Sequence, residues 1–192
     1  MGRAEDLFEL ILTAGQQAID GFIIDRQSEE LFLDFRSSSD NGSGTRLHDR
    51  DRSNLAKAIS GFANSEGGVI VWGVDCRPNQ ELGDVATVKT GVQNPKRFKS
   101  WLENAVSGLT LPPHPGVRHA TVEIGNDQLG FVATFIPKSH MAPHQCLRPL
   151  QYYMRAGSNF EPVPHGVLAG MFGRSPQPEI FHMRPTKSIE LN

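Results

Sequence analysis

Four carboxylates in the first half of the chain have the types and spacing for phosphoryl chemistry. Glu29, Glu30 and Asp34 lie close together, and Asp75 ends a short apolar run. Strand side chains alternate, so Glu30 and Asp34, four apart, share one face. If their strand neighbours the one ending at Asp75, these carboxylates meet at a single sheet edge. Hard cations such as Mg²⁺ or Mn²⁺ want oxygen ligands and take only a few from protein. Bound there, such an ion activates water and neutralises leaving-group charge during phosphodiester cleavage. The plainer alternative makes Glu29, Glu30 and Asp34 a solvated strand face and Asp75 the cap of a turn.

Basic residues supply the second candidate. A helix over Arg50 to Asn64 sets Arg50, Lys57 and Asn64 opposite the apolar Leu55, Ile59 and Phe62. Arg36, Arg46, Arg52, Lys96, Lys99, Lys138, Arg148 and Arg155 come from other segments and could extend that face into a nucleic-acid-binding surface. Phosphate contacts need Lys or Arg and carry no base information. Tyr152 and Tyr153 could stack an unpaired base, or pack one ring in the core. His140, His144 and Cys146 are zinc-type ligands. Pro143 and Pro149 keep that segment out of a helix, so a backbone or phosphate contact is the favoured role. Gly42-Ser43-Gly44-Thr45-Arg46 lacks the length and the lysine of a phosphate-binding loop, and no nucleotide cofactor is expected.

The element that must position these groups is Leu55 to Asp75. Leu55, Ile59 and Phe62 form a buried helical stripe. Val69 to Val74, rich in β-branched residues, reads as a strand buried on both faces. Gly67 and Gly68 between them allow the reversal. Before this unit, an opening helix is expected over Leu7 to Phe22, then a half-buried strand over Glu30 to Arg36. Ser37 to Thr45 reads as a flexible loop. After it come a turn at Arg77 to Gln80, a short strand near Val85 to Val88, and a helix started by Asn94-Pro95. Val117 to Ile124 and Leu129 to Ile136 predict a hairpin around Gly125 to Gln128; a Tyr152–Arg155 strand and a short helix over Val167 to Phe172 complete the series. The expected layout is an N-terminal helix over 1–25, a domain over 26–173, and a linker or tail over 174–192 that could open a further domain.

The chain has 192 residues, a net charge of −2 and two cysteines, Cys76 and Cys146. That size suits one domain with its own core. The near-neutral charge means that any basic surface is local. Two distant cysteines predict free thiols in a reducing compartment, and with no transmembrane-length run or apolar leader the expected location is cytoplasmic.

Three motifs carry a family resemblance. Gly61-Phe62-Ala63-Asn64 through Gly67-Gly68 to Gly73-Val74-Asp75, Glu29 with Leu33-Asp34-Phe35-Arg36, and Tyr152-Tyr153-Met154-Arg155-Ala156-Gly157-Ser158 occur in the order seen in Schlafen-type AlbA_2 domains, which this sequence resembles. The elements together predict an α+β fold like that of the family, with a mixed central sheet: the Asp34, Val71, Val122, Val132 and Tyr153 strands under the Phe62 and Leu102 helices. It also implies three acidic residues of a metal-dependent endoribonuclease acting on structured RNA such as tRNA, in defence or stress response. Glu29 and Asp34 match the first two catalytic and metal-binding positions. Asp75 is the third, unless that position falls on Cys76, a poor ligand for a hard ion. Asp34 stands where the family has glutamate, and Arg36 where it has lysine. The alternatives are a non-catalytic DNA-binding or regulatory module of a larger protein, acting with a further C-terminal domain or partner, and an interaction protein without a nucleic-acid role. A single lobe predicts a homodimer to complete a cradle.

Overall fold

The computed structural model describes residues 2–81, 83–124 and 129–173. The expected hairpin turn at 125–128 and the tail at 174–192 lie outside them. The chain opens with α1 (Arg3–Ala14) and α2 (Gln16–Ile24), which meet at an angle of 114°. The sequence pattern predicts one helix here; Gly15, at φ 55° and ψ −125°, breaks it. No single helix among the described residues is long and apolar enough to cross a membrane.

A five-stranded mixed sheet follows. In it β1 (Leu33–Arg36) runs parallel to β2 (Gly68–Trp72), with Asp34 opposite Ile70 and Arg36 opposite Trp72. On its other edge β2 pairs antiparallel with β8 (Leu129–Ile136), which also holds β5 (Val92–Gln93) and β7 (Arg118–Glu123). Alternation along β2 and β8 sends side chains to two separate cores. Val69, Val71, Phe131, Ala133 and Phe135 meet α1 and α2 on one face. Ile70, Trp72, Val132 and Ile136 meet α3 (Asp49–Ala63) and α4 (Pro95–Val106) on the other. The doubly buried strand expected at Val69–Val74 is therefore present, though β2 ends at Trp72.

Gly73, at φ 98°, turns the chain out of the sheet into β3 (Val74–Asn79), which pairs antiparallel with β4 (Gly83–Lys89) as a separate hairpin. Strand therefore runs through part of the expected turn at Arg77 to Gln80. A second sheet, β6 (Thr110–Leu111), β9 (Gln145–Leu147), β10 (Leu150–Ala156) and β11 (Asn159–Pro162), lies on α3. The Tyr153 strand thus belongs to this sheet and not to the central one. The reason is α3 itself: its Phe62 packs on the central sheet and edge-on against Phe160, 5.0 Å between ring centroids. A last helix, α5 (His165–Phe172), lies near the surface with Phe172 edge-on to Tyr152 at 5.9 Å.

Candidate functional site

Where the end of β1, the start of α3 and the β3–β4 hairpin meet, a polar pocket of about 270 Å³ opens, lined by Glu29, Arg36, Ser37, Ser39, Arg50, Asn54, Asp75, Cys76 and Asp84 among others. Two of the three acidic residues picked from sequence, Glu29 and Asp75, therefore share one pocket. A larger hollow of about 630 Å³ between α4 and the His114–His119 segment is lined by none of the acidic or basic residues picked from sequence.

Each wall has a local cause. Glu29 precedes β1; its backbone N–H donates to the Asp84 carbonyl at 3.0 Å, and its Oε1 accepts from the Phe35 N–H at 3.1 Å. Burial, aided by the charge of Asp34, raises the Glu29 pKa to about 7, against the opposing pull of Arg36, the Phe35 N–H and Arg155. Asp75 and Cys76 are consecutive strand residues and should face opposite ways. The register shifts between them, and with this bulge both reach the pocket. Burial and the carboxylates of Glu29, Asp34 and Asp84 push the Cys76 thiol far up, so it stays protonated, a poor nucleophile and a poor ligand. Asp75 lies 3.6 Å from Arg77 Nε.

Asp34 is placed differently from the open face expected for it. It is fully buried and absent from the pocket lining. Its Oδ1 accepts from Arg155 Nη1 at 2.9 Å and Arg36 Nη2 at 3.0 Å, and Arg36 Nε lies 2.8 Å from Oδ2. Glu30 does not share its face, because a tight pairing of Glu30 with Leu33 precedes β1; the Glu30 carboxylate holds Arg3 at 3.1 Å near the surface. Among the described residues no three His, Cys, Asp or Glu side chains are gathered closely enough to hold a metal ion.

The basic residues divide. Arg155, expected on a binding surface, is a core residue: it donates to the Glu30 carbonyl at 3.0 Å and the Leu33 carbonyl at 2.9 Å, and lies 4.4 Å from the Phe160 ring centroid. Its place on β10, over Phe62 and Phe160, aims it inward. Arg36 lines the pocket; burial works against its charge, but Asp34 and Glu29 outweigh it and raise its pKa. Lys96, Lys99 and Lys138 pair with Glu123, Glu103 and Glu66 at 2.9, 3.1 and 2.6 Å. Lys57 sits over the Tyr153 ring at 5.0 Å. Arg50 at the pocket rim and Arg148 beside Arg52 are in no ion pair among the described residues. Tyr153 is buried, so it offers no stacking platform.

The zinc alternative also separates. His144 is buried with Nδ1 2.7 Å from the Pro112 carbonyl and Nε2 2.7 Å from Ser139 Oγ, while His140 is exposed and the Cys146 thiol points to the Arg148 carbonyl at 3.2 Å. Both cysteines are free thiols, as expected.

Sequence reasoning missed Ser37, Ser39, Asn54 and Asp84. The serines sit in the segment expected to be flexible, yet Asp51, fully buried at the start of α3, accepts from Ser38 Oγ at 2.7 Å, Ser39 N at 3.0 Å and Ser39 Oγ at 2.7 Å. A carboxylate in the first turn of a helix, with serines upstream, is a readable capping signal. Asp84 had no such signal, because its position depends on the hairpin pairing.

No curated protein resembles the chain closely enough to count as a match. Among solved structures, the crystal structure of the DIP2311 protein from Corynebacterium diphtheriae is similar at a TM-score of 0.50 and 13% identity, over 88% of this chain and 34% of that one. The chain thus spans about a third of that relative. The solution structure of the N-terminal domain of a RecG-related protein from Nitrosomonas europaea matches at a TM-score of 0.41 and 14% identity, over 98% of this chain and 99% of that one. The family model described as "Schlafen, AlbA_2" matches residues 29–164, from the pocket glutamate to the start of the last helix, and the chain belongs to that family.

Proposed function

We propose that the chain is a nucleic-acid-binding module that seats a sugar–phosphate backbone along the exposed flank of α3, with one phosphate entering the polar pocket. The observation that carries this reading is the pocket itself. It sets Arg36 and Arg50 beside the Ser37 hydroxyl and the Asn54 amide, a donor set suited to phosphate oxygens. Lys57, Arg52 and Arg148 extend the positive flank away from it. Family membership supports a nucleic-acid role, and the pocket contains two of the acidic positions that the family resemblance marks. The endoribonuclease reading needs Asp34 to leave two guanidinium partners, so binding is the better-supported activity.

The test is retention of labelled structured RNA and of duplex DNA across a salt series. About five engaged cations predict a log–log slope of about −4.5 on duplex and about −3.5 on single strands, a loss on the order of a few hundredfold between roughly 50 and roughly 200 mM salt. Arg50→Ala and Arg148→Ala should each lower the slope by about one. Salt-independent retention, or none on either polymer, defeats the proposal.

A further inference from the structure

The family's acidic triad reads as a site for Mg²⁺ or Mn²⁺, so the donors present can be compared with what such an ion needs. A hard divalent cation takes unprotonated oxygen donors that are free of competing cations. Asp34 does not meet that condition. Each of its oxygens lies within 3.0 Å of a guanidinium nitrogen, and one of those guanidiniums, Arg155, has a side chain with no solvent exposure. Freeing Asp34 for a metal would strand Arg155 as a buried unpaired charge. Of the two remaining triad members, Glu29 already gives one oxygen to the Phe35 N–H, and Asp75 faces Arg77. The residues do not fit the ion.

We infer that in this chain the Arg36 guanidinium, anchored by Asp34, supplies the pocket's positive charge where a divalent cation would otherwise stand, so that a phosphodiester is held directly and without metal. Arg36 is suited to this: one Nη donates to Asp34 Oδ1 at 3.0 Å, its Nε faces Oδ2 in an ion pair at 2.8 Å without a hydrogen bond, and about a third of the side chain stays open. A planar guanidinium held on one edge still presents donors for a phosphate. Asp34 is then a positioning residue for Arg36 and Arg155, without ligand duty. The inference rests on the nucleic-acid reading for its phosphate, but its metal half is independent of it.

The experiment uses the intact wild-type chain. Free Mn²⁺ is followed by its electron paramagnetic resonance signal as protein is added, without nucleic acid. The signal should stay undiminished at equimolar protein. One Mn²⁺ bound per chain and released in Glu29→Gln or Asp75→Asn overturns the inference; a site that survives both variants lies elsewhere and leaves the pocket metal-free, as inferred. In parallel, RNA and DNA retention is measured in EDTA and in Mg²⁺. Equal retention in both supports direct contact, whereas retention or strand cutting that appears only with the metal and is lost in Glu29→Gln overturns it. If nothing is retained in either buffer, the binding proposal and the phosphate half of this inference both fail, and the Mn²⁺ titration still decides the metal half. Arg36→Lys, which keeps the charge but loses the fork, should weaken retention about tenfold; unchanged retention removes Arg36 from the role.

Discussion

Replacing Asp34 with alanine tests whether this carboxylate is a solvated group or the anchor of two arginines. The variant leaves Arg155 with a side chain at 0% exposure and no counter-charge. Removing one partner of a buried pair costs about 3–5 kcal/mol. Loss of the half-open Arg36 pair adds about 0–1 kcal/mol. Arg155→Met is different: Asp34 keeps Arg36, and the Glu30 and Leu33 carbonyls keep each other's backbone N–H and lose only a second donor, each at about 0.5–1.5 kcal/mol. The double variant Asp34→Leu/Arg155→Met removes both buried charges, leaves each carbonyl one backbone donor and frees the half-open Arg36, so it should lie about 1–4 kcal/mol below wild type. That is far short of the sum of the single variants. Urea unfolding followed by circular dichroism measures all three, and Asp34→Asn serves as a milder variant should Asp34→Ala be unfolded at the outset. A wild-type-like Asp34→Ala, within about 1 kcal/mol, or strictly additive costs would refute the anchor and return Asp34 to the pool of available ligands.

Three further outcomes follow from single contacts. A Cβ on Gly61 would run into the Phe160 ring, so Gly61→Ala should cost about 1–3 kcal/mol despite its better helix propensity, and a stabilised variant would show that β11 does not press on α3. Burial lowers the His119 pKa from 6.5 to about 4, so its stabilising effect is complete above pH 6.5 and is lost progressively as pH falls from 6.5 to 4. Between pH 7 and pH 5 that loss amounts to about 2 kcal/mol in urea unfolding, and His119→Phe should flatten it relative to wild type; an unchanged acid limb would disprove it. Glu29, with its pKa raised to about 7, is protonated below neutrality and adds negative charge above it, so nucleic-acid retention should weaken as pH rises from about 6 to about 8. Glu29→Gln should remove that pH dependence, and a slope that persists in the variant would place its origin elsewhere.

What could be read ahead of the structure was whatever short-range chemistry decides. Asn94 caps α4 through its side chain, with Pro95 in the first turn, because both effects act within one turn. The β-branched run of β2 declared a strand buried on both faces, whereas its parallel pairing with the Asp34 strand could only be posed as a condition. Asp34 itself was misjudged because its decisive partner, Arg155, is 121 positions away, and alternation alone cannot tell a solvated carboxylate from a paired one. The segment from Ser37 onward looked flexible for the same reason: its order comes from Asp51, on the helix after it. The bulge at Asp75 and Cys76 has no signature in composition, yet it settles which of the two faces the pocket by admitting both.

These long-range contacts converge on one consequence for the site. Asp34 sits between Arg36, which opens to the pocket, and Arg155, which is rooted in the second sheet. One carboxylate between two guanidiniums leaves a net positive charge at the pocket floor, opposite Glu29, Asp75 and Asp84. The field that a divalent ion would provide is in part built into the protein, and its strength depends on the second sheet holding Arg155 in place. Loosening β10 should therefore do more than lower stability. It frees Asp34 to neutralise Arg36 alone, turns the floor from positive to neutral, and leaves the remaining carboxylates to repel phosphate, so affinity for a polynucleotide should fall with the anchor even where Arg36 itself is untouched.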